Sequence, residues 1–218
     1  MSQLRRAYLA ALGVDVWIDR AVQARVSPDR EVGELDWDEL RAAVSRCTAC
    51  PLHSTRRQTV FGVGDTHARL LVVGEAPGAD EDRLGEPFVG RAGQLLNAML
   101  RAIGLARENV FIANILKCRP PNNRDPKREE AATCTPFLSR QIALLRPRAV
   151  LALGRISAQW LLQSELPVGR LRGQMWQLDP WDVPLIVSYH PAYLLRSPAA
   201  KAKAWQDLLL VQELLSKD

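Results

Sequence analysis

Long apolar runs are missing from this chain of 218 residues. None approaches the roughly 18 to 20 consecutive apolar residues that a membrane-spanning helix needs, so a transmembrane protein is excluded. Aromatic residues are scarce, at 6%. Hydrophobic residues at 47% and charged residues at 24% nevertheless give an ordinary soluble globular balance, which excludes disorder, collagen and coiled coil. Cysteine is also sparse, with four in all. A chain of this length buries a sizeable core without staples, so four cysteines are few enough to be one set of ligands.

Several catalytic signatures are absent as well. Gly85-Glu86-Pro87-Phe88-Val89-Gly90-Arg91-Ala92 has the glycine spacing of a phosphate-binding loop. It lacks the lysine that reaches the phosphates and the hydroxyl that holds magnesium, and it does not follow a strand directly. No G-x-G-x-x-G follows the first strand, and no G-x-S-x-G, H-E-x-x-H or calcium loop occurs. NTPase, dehydrogenase, serine hydrolase and zincin readings therefore have no support.

Charge is what the chain has in excess, and it is unevenly placed. The net charge is +5. Residues 1–46 carry 7 basic and 8 acidic side chains, residues 47–113 carry 7 of each, and residues 114–218 carry 15 against 9. Lys117, Arg119, Arg124, Lys127 and Arg128 crowd the start of the last part. Such a surface favours polyanions, because phosphates neutralised by cations release condensed counterions. At the amino end, Arg5 and Arg6 before Ala7–Val14 imitate a short secretory signal, but acidic residues follow where a cleavage site should be. A cytoplasmic protein is expected. Leu4, Tyr8 and Leu12 recur at helical spacing, so residues 1–30 read as an N-terminal helical arm before a domain over 31–218.

From there helices and strands alternate. Asp36 with Glu39 places a capping box before a helix to Arg46. Leu70–Val73 is a short apolar run closed by Gly74, as a buried parallel strand would be. A helix through Leu95–Ile103, a strand over Val110–Ile115 and a helix opened by Asp125-Pro126 and running to Leu145 follow. Then come a strand over Ala149–Leu153, a helix over Ile156–Leu162, a strand over Leu185–Ser188 and a helix after Pro198. The pattern predicts an α/β fold, a three-layer αβα sandwich around a short, mostly parallel four-stranded sheet. Ligands of such sheets bind beyond the carboxyl ends of the strands. Those exits carry Gly74-Glu75-Ala76-Pro77-Gly78 with Asp80-Glu81-Asp82, then Asn114, then His190.

Cys47-Thr48-Ala49-Cys50 is a C-x2-C, and Cys118 and Cys134 form a C-x15-C. The first pair puts two thiolates on one turn and the second completes a four-thiolate site. Spacing does not separate zinc from an iron–sulfur cluster. Such a set would clasp the chain near residue 48 to the basic segment 117–134.

The run Gly74-Glu75-Ala76-Pro77-Gly78, Glu81-Asp82, Pro87-Phe88-Val89-Gly90, Asn114 with Lys117-Cys118-Arg119-Pro120-Pro121, and His190-Pro191-Ala192-Tyr193-Leu194-Leu195-Arg196 resembles the family-four uracil-DNA glycosylases, iron–sulfur enzymes of base-excision repair. The four cysteines match that family's cluster ligands in order and spacing, which implies a structural 4Fe-4S cluster with zinc as the alternative. The resemblance implies a uracil-DNA glycosylase-like fold and an enzyme that flips uracil out of single- or double-stranded DNA and cleaves its N-glycosidic bond. A monomer with no membrane partner is expected. It places Phe88 as the stacking aromatic, Asn114 as the reader of the uracil edge, and His190 as the donor to the uracil carbonyl beside N1. Gly74, Glu75, Ala76 and Glu81 belong to the loop that shapes the pocket and positions water, and Asn123 to the active site. Lys117, Arg119, Arg124, Leu194, Leu195 and Arg196 are expected on DNA. Ala76 stands where some members have glycine. A covalent uracil-trapping relative would carry a basic, His-bearing insertion after the second strand, and none is seen here. A non-catalytic DNA-binding relative and a zinc-stapled nucleotide-processing enzyme are the rival readings.

Overall fold

The computed structural model describes residues 31–216, and the arm expected over 1–30 lies outside the described residues. Strands β1 (Val63–Gly64), β2 (Leu70–Gly74), β3 (Phe111–Asn114), β4 (Ala149–Leu153), β5 (Met175–Leu178) and β6 (Val183–Ser188) form one sheet in the order β1-β3-β2-β4-β6-β5. The central four run parallel, as the apolar runs foretold, while β1 and β5 pair antiparallel on the two edges. The expected four-stranded sheet is thus a mixed sheet of six. Both additions escape an apolar-run reading for a physical reason: β1 spans two residues, and β5 is largely exposed with only Leu178 buried.

Helices α1 (Trp37–Arg46), α2 (Ala79–Leu84), α3 (Arg91–Ala102), α4 (Arg128–Leu145), α5 (Arg155–Leu161), α6 (Val168–Leu171), α7 (Pro191–Arg196) and α8 (Lys201–Ser216) complete the described fold. None is long and apolar enough to cross a membrane. The alternation of side chains along the strands divides the core in two. Leu71, Val73, Phe111, Ala113, Val150, Ala152, Leu185 and Val187 face one layer with Leu40, Val44, Leu138 and Ile142 of α1 and α4. Leu70, Val72, Ile112, Leu151 and Ile186 face the other with Leu96 and Leu100 of α3 and Leu208 and Val211 of α8. The α1 capping box forms as read, with Glu39 N–H donating to Asp36 at 2.9 Å and Asp36 N–H to Glu39 at 3.0 Å. Helix α4 starts at Arg128, two residues later than Asp125-Pro126 suggested. The Glu130 carboxylate accepts from Lys127 N–H at 2.9 Å and so takes the capping task, while Asp125 is paired with Arg155.

Candidate active site and thiol pocket

The parallel register sets Gly74 of β2 beside Asn114 of β3, so two strands end level on the carboxyl edge. The ladder continues past them, with Ile115 N–H donating to Gly74 O and Leu116 N–H to Glu75 O, both at 3.0 Å. This pins the backbone of the Gly74–Ala76 turn. A Cβ on Gly74 would lie 2.4 Å from Asn114 Oδ1 and 2.7 Å from the Phe88 ring. Glycine is therefore required here because an amide and an aromatic ring both rest on its Cα. The Phe88 ring is stacked on His190, with centroids 5.4 Å apart and planes 29° from parallel. Gly74, Phe88, Asn114 and His190 are thus brought together at the carboxyl edge of the sheet.

Phe88 holds φ at +53°. That conformation costs a residue with a Cβ about 1–2 kcal/mol, so the surroundings must enforce it. Glu81 supplies part of the enforcement. Its Oε1 accepts from Val89 N–H at 3.0 Å and Gly90 N–H at 3.3 Å, and its Oε2 accepts from Gly78 N–H at 3.1 Å. Hydrogen bonds to a charged group contribute about 1.5–3 kcal/mol each, enough to outweigh the backbone strain. The carboxylate of Glu81 is therefore committed to holding two loops together.

His190 caps α7, and its Nδ1 accepts from Ala192 N–H at 3.1 Å. A backbone N–H can only donate, so the neutral ring carries its proton on Nε2. Burial, with Arg196 nearby, lowers its pKa to about 4, against a smaller opposing pull from Glu81. The ring is a neutral donor at physiological pH. Glu75 is shifted the other way. Burial and the neighbouring Asp125 raise its pKa to about 7, with Arg155 opposing. A carboxyl group poised near neutrality at a strand exit suits proton transfer.

On the other side of the β3 exit, Cys47, Cys50, Cys118 and Cys134 line one pocket with Val44, Ala49, Arg56 and Phe137. All four are free thiols. Arg56 Nη1 donates to Cys118 Sγ at 3.0 Å, and Lys117 N–H donates to Cys134 Sγ at 3.2 Å. Burial pushes the Cys118 thiol up and the Cys134 thiol to about 12. Among the described residues no three His, Cys, Asp or Glu side chains group as ligands of one ion. The chemistry of the donor set still fits a thiolate-bound group: four cysteines line one pocket, two of their sulfurs accept N–H bonds, and an arginine balances negative charge.

The sequence profile of the Uracil DNA glycosylase superfamily matches residues 61–209. The chain is 43% identical over 182 residues to the Type-4 uracil-DNA glycosylase of Pyrobaculum aerophilum, covering 81% of this chain and 93% of that one. It is 42% identical over 186 residues to that of Archaeoglobus fulgidus, covering 83% and 94%. With that of Thermotoga maritima it shares 44% over 159 residues, covering 71% and 80%. The chain belongs to the type-4 uracil-DNA glycosylase family.

Within this family member, the residues expected on DNA separate into two groups. Arg196 and Leu195 of α7 are exposed, as is Tyr193 beside them, which packs on Tyr189 at 5.1 Å. Leu194 is 1% exposed and anchors α7 in the core, so it is not a duplex-facing side chain as expected. Lys117 is corrected likewise. It is 1% exposed, and its ammonium donates to Asn114 O at 2.9 Å and Gln141 Oε1 at 2.7 Å, so it braces the β3 exit from inside. Arg124 forks onto Glu130 at 2.9 and 2.6 Å. Arg119 donates to Asn123 Oδ1 at 2.8 Å, on the exposed turn Pro121–Asn123. The charge excess is therefore partly consumed within the fold. Arg155 and Arg107 are site-edge residues that no motif marks, and Asp125, read only as a helix opener, is a third.

Proposed function

We propose that this chain excises uracil from DNA as a hydrolytic glycosylase. The observation that carries it is the Phe88–His190 stack above Gly74 with Asn114 alongside: one aromatic wall, one amide and one neutral imidazole donor around a glycine floor. Phe88 stacks on the flipped base, and the Asn114 amide matches the N–H and carbonyl of the uracil edge. Cytosine presents the opposite pattern there and is refused, because mispaired buried polar groups are costly. The Nε2–H of His190 donates to the carbonyl oxygen beside N1. The bond from the sugar C1′ to N1 breaks, the electron pair leaves with uracil, and a water oxygen bonds C1′. Ionised Glu75 orients that water and takes its proton. Leu195, Arg196 and Arg119 sit on the DNA side, and Asn123, which accepts from Arg119, belongs to the edge of the active site. A uracil-containing oligonucleotide tests the reading directly. Strand scission after alkali supports it, whereas a denaturation-resistant adduct or mere retention would replace it with a trapping or binding role.

The Glu75 role makes pH a test. Uracil release (kcat/KM) should rise as pH passes through about 7, the pKa of Glu75 in the fold. Glu75→Gln should be slow and lack that rise. Because the folded pKa lies above the ordinary carboxylate value, burial of Glu75 stabilises its protonated form. Glu75 should therefore make a contribution to the unfolding free energy that falls as pH rises from about 4.5 to 7, opposite in sign to that of His190, and Glu75→Gln should remove this contribution. An unchanged rate profile in Glu75→Gln would remove the residue from the reaction.

Cys47, Cys50, Cys118 and Cys134 are the ligands we assign to a 4Fe-4S cluster. Bound there, it would supply a structural cross-link between the end of α1, the β3 exit and α4. Protein purified without oxygen should be brown and carry iron and sulfide. Cys118→Ser should lose the colour and unfold at lower temperature. Colourless protein holding zinc on four thiolates would sink the iron–sulfur assignment.

A further inference from the structure

We propose that Arg107 is a positioning residue for base recognition, holding Phe88 in its left-handed conformation; this rests on the glycosylase reading of the same pocket. Arg107 stands outside every motif, in the short turn Arg107–Asn109 before β3. Its Nη2 donates to Pro87 O at 2.5 Å and its Nη1 to Phe88 O at 3.2 Å, with Asn97 Oδ1 at 3.5 Å. The guanidinium therefore grips the two successive carbonyls of Pro87 and Phe88, and Phe88 holds its φ at +53°. Glu81 grips the succeeding N–H groups of Val89 and Gly90. The arch carrying the Phe88 ring is thus held by a cation on its carbonyls and an anion on its amides.

Close packing shows that the carbonyl has little room to move. A Cβ on Gly93 in α3 would lie 1.7 Å from Phe88 O, so the helix runs directly against it. Were the arch to relax towards an ordinary φ, the Phe88 ring would leave Gly74 and His190. A planar fork suits this task and an ammonium does not, because two carbonyls must be met at once by donors of fixed spacing. Arg107 touches neither the base nor the reacting bond. Its influence passes through Phe88 alone.

The experiment has two readouts. Hydrogen exchange in the segment 85–93 reports the arch whether or not the protein is active: Arg107→Met should speed exchange there and leave the central strands protected. In uracil release, Arg107→Met should lower kcat/KM by about 10²-fold, as a displacement of about 1 Å in a binding group can. It should weaken inhibition by free uracil and raise KM more than it lowers kcat. Arg107→Lys should recover part of both. In a Phe88→Ala background the same Arg107→Met change should cost less than about threefold, since its target is gone. Losses that add in the double variant, parent-like exchange in segment 85–93, or global unfolding of both Arg107→Met and Arg107→Lys would each overturn the positioning role. A parent protein that releases no uracil would overturn the glycosylase reading, with the exchange result still deciding whether Arg107 holds the arch.

Discussion

Replacing His190 with alanine is expected to slow uracil release by about 10²–10³-fold while the fold persists, the loss of one donor aimed at developing negative charge. Uracil leaves as an anion whose charge is shared by the carbonyl beside N1, so a donor fixed there strengthens as the bond breaks. The structure specifies which donor. Ala192 N–H occupies Nδ1, which puts the proton on Nε2, and burial holds the pKa at about 4. A neutral imidazole needs no protonation to act. The loss in His190→Ala should therefore be uniform from about pH 5.5 to about pH 8.5, and the rate rise near pH 7 should survive because it belongs to Glu75. Stability gives an independent check. The unfolded chain protonates this ring near pH 6.5 while the fold resists down to about 4, so His190 contributes a loss of stability as pH falls through that window, against the opposite contribution of Glu75. His190→Ala should lose less. A His190→Ala protein that releases uracil at the parent rate would end the assignment.

What the sequence revealed about this site follows from where the information is local. The carboxyl-edge convergence of Gly74, Asn114 and His190 was legible because buried parallel strands announce themselves as apolar runs and their exits follow by topology. The α1 cap was legible because a capping box spans four residues. The fate of the charges was not. Lys117 reads as a surface cation in its segment, yet its side chain turns inward because Gln141 and the Asn114 carbonyl, distant or backbone acceptors, satisfy it there. Arg124 and Asp125 are likewise spent on Glu130 and Arg155. Leu194 follows the same logic in reverse: the short helix α7 must bury side chains to stay attached, and Leu194 does so together with Pro191. The left-handed Phe88 and its Arg107 partner depend on contacts across the fold, and no local pattern encodes those.

Replacing Asn114 with alanine should lower uracil release about as severely, for a different reason. Asn114 is 2% exposed, lies over the Gly74 Cα, and has its carbonyl fixed by the buried Lys117 ammonium. Its backbone is therefore held and its side chain is buried against Gly74, which leaves it little freedom to lose on binding. Two hydrogen bonds to the uracil edge at about 1.5 kcal/mol each amount to about 3 kcal/mol, close to 10²-fold in kcat/KM. Asn114→Asp separates hydrogen bonding from simple space filling. It keeps the size but presents only acceptors, one of them against the uracil carbonyl, so it should be slower on uracil than Asn114→Ala. Competition by cytosine-containing strands should strengthen in relative terms, because its amino group can donate to the new carboxylate. Rates for Asn114→Asp above those for Asn114→Ala on uracil would show that the residue fills space and reads nothing. The same outcome would leave the Phe88 stack as the pocket's only means of choosing a base, which a ring that accepts any base face cannot do.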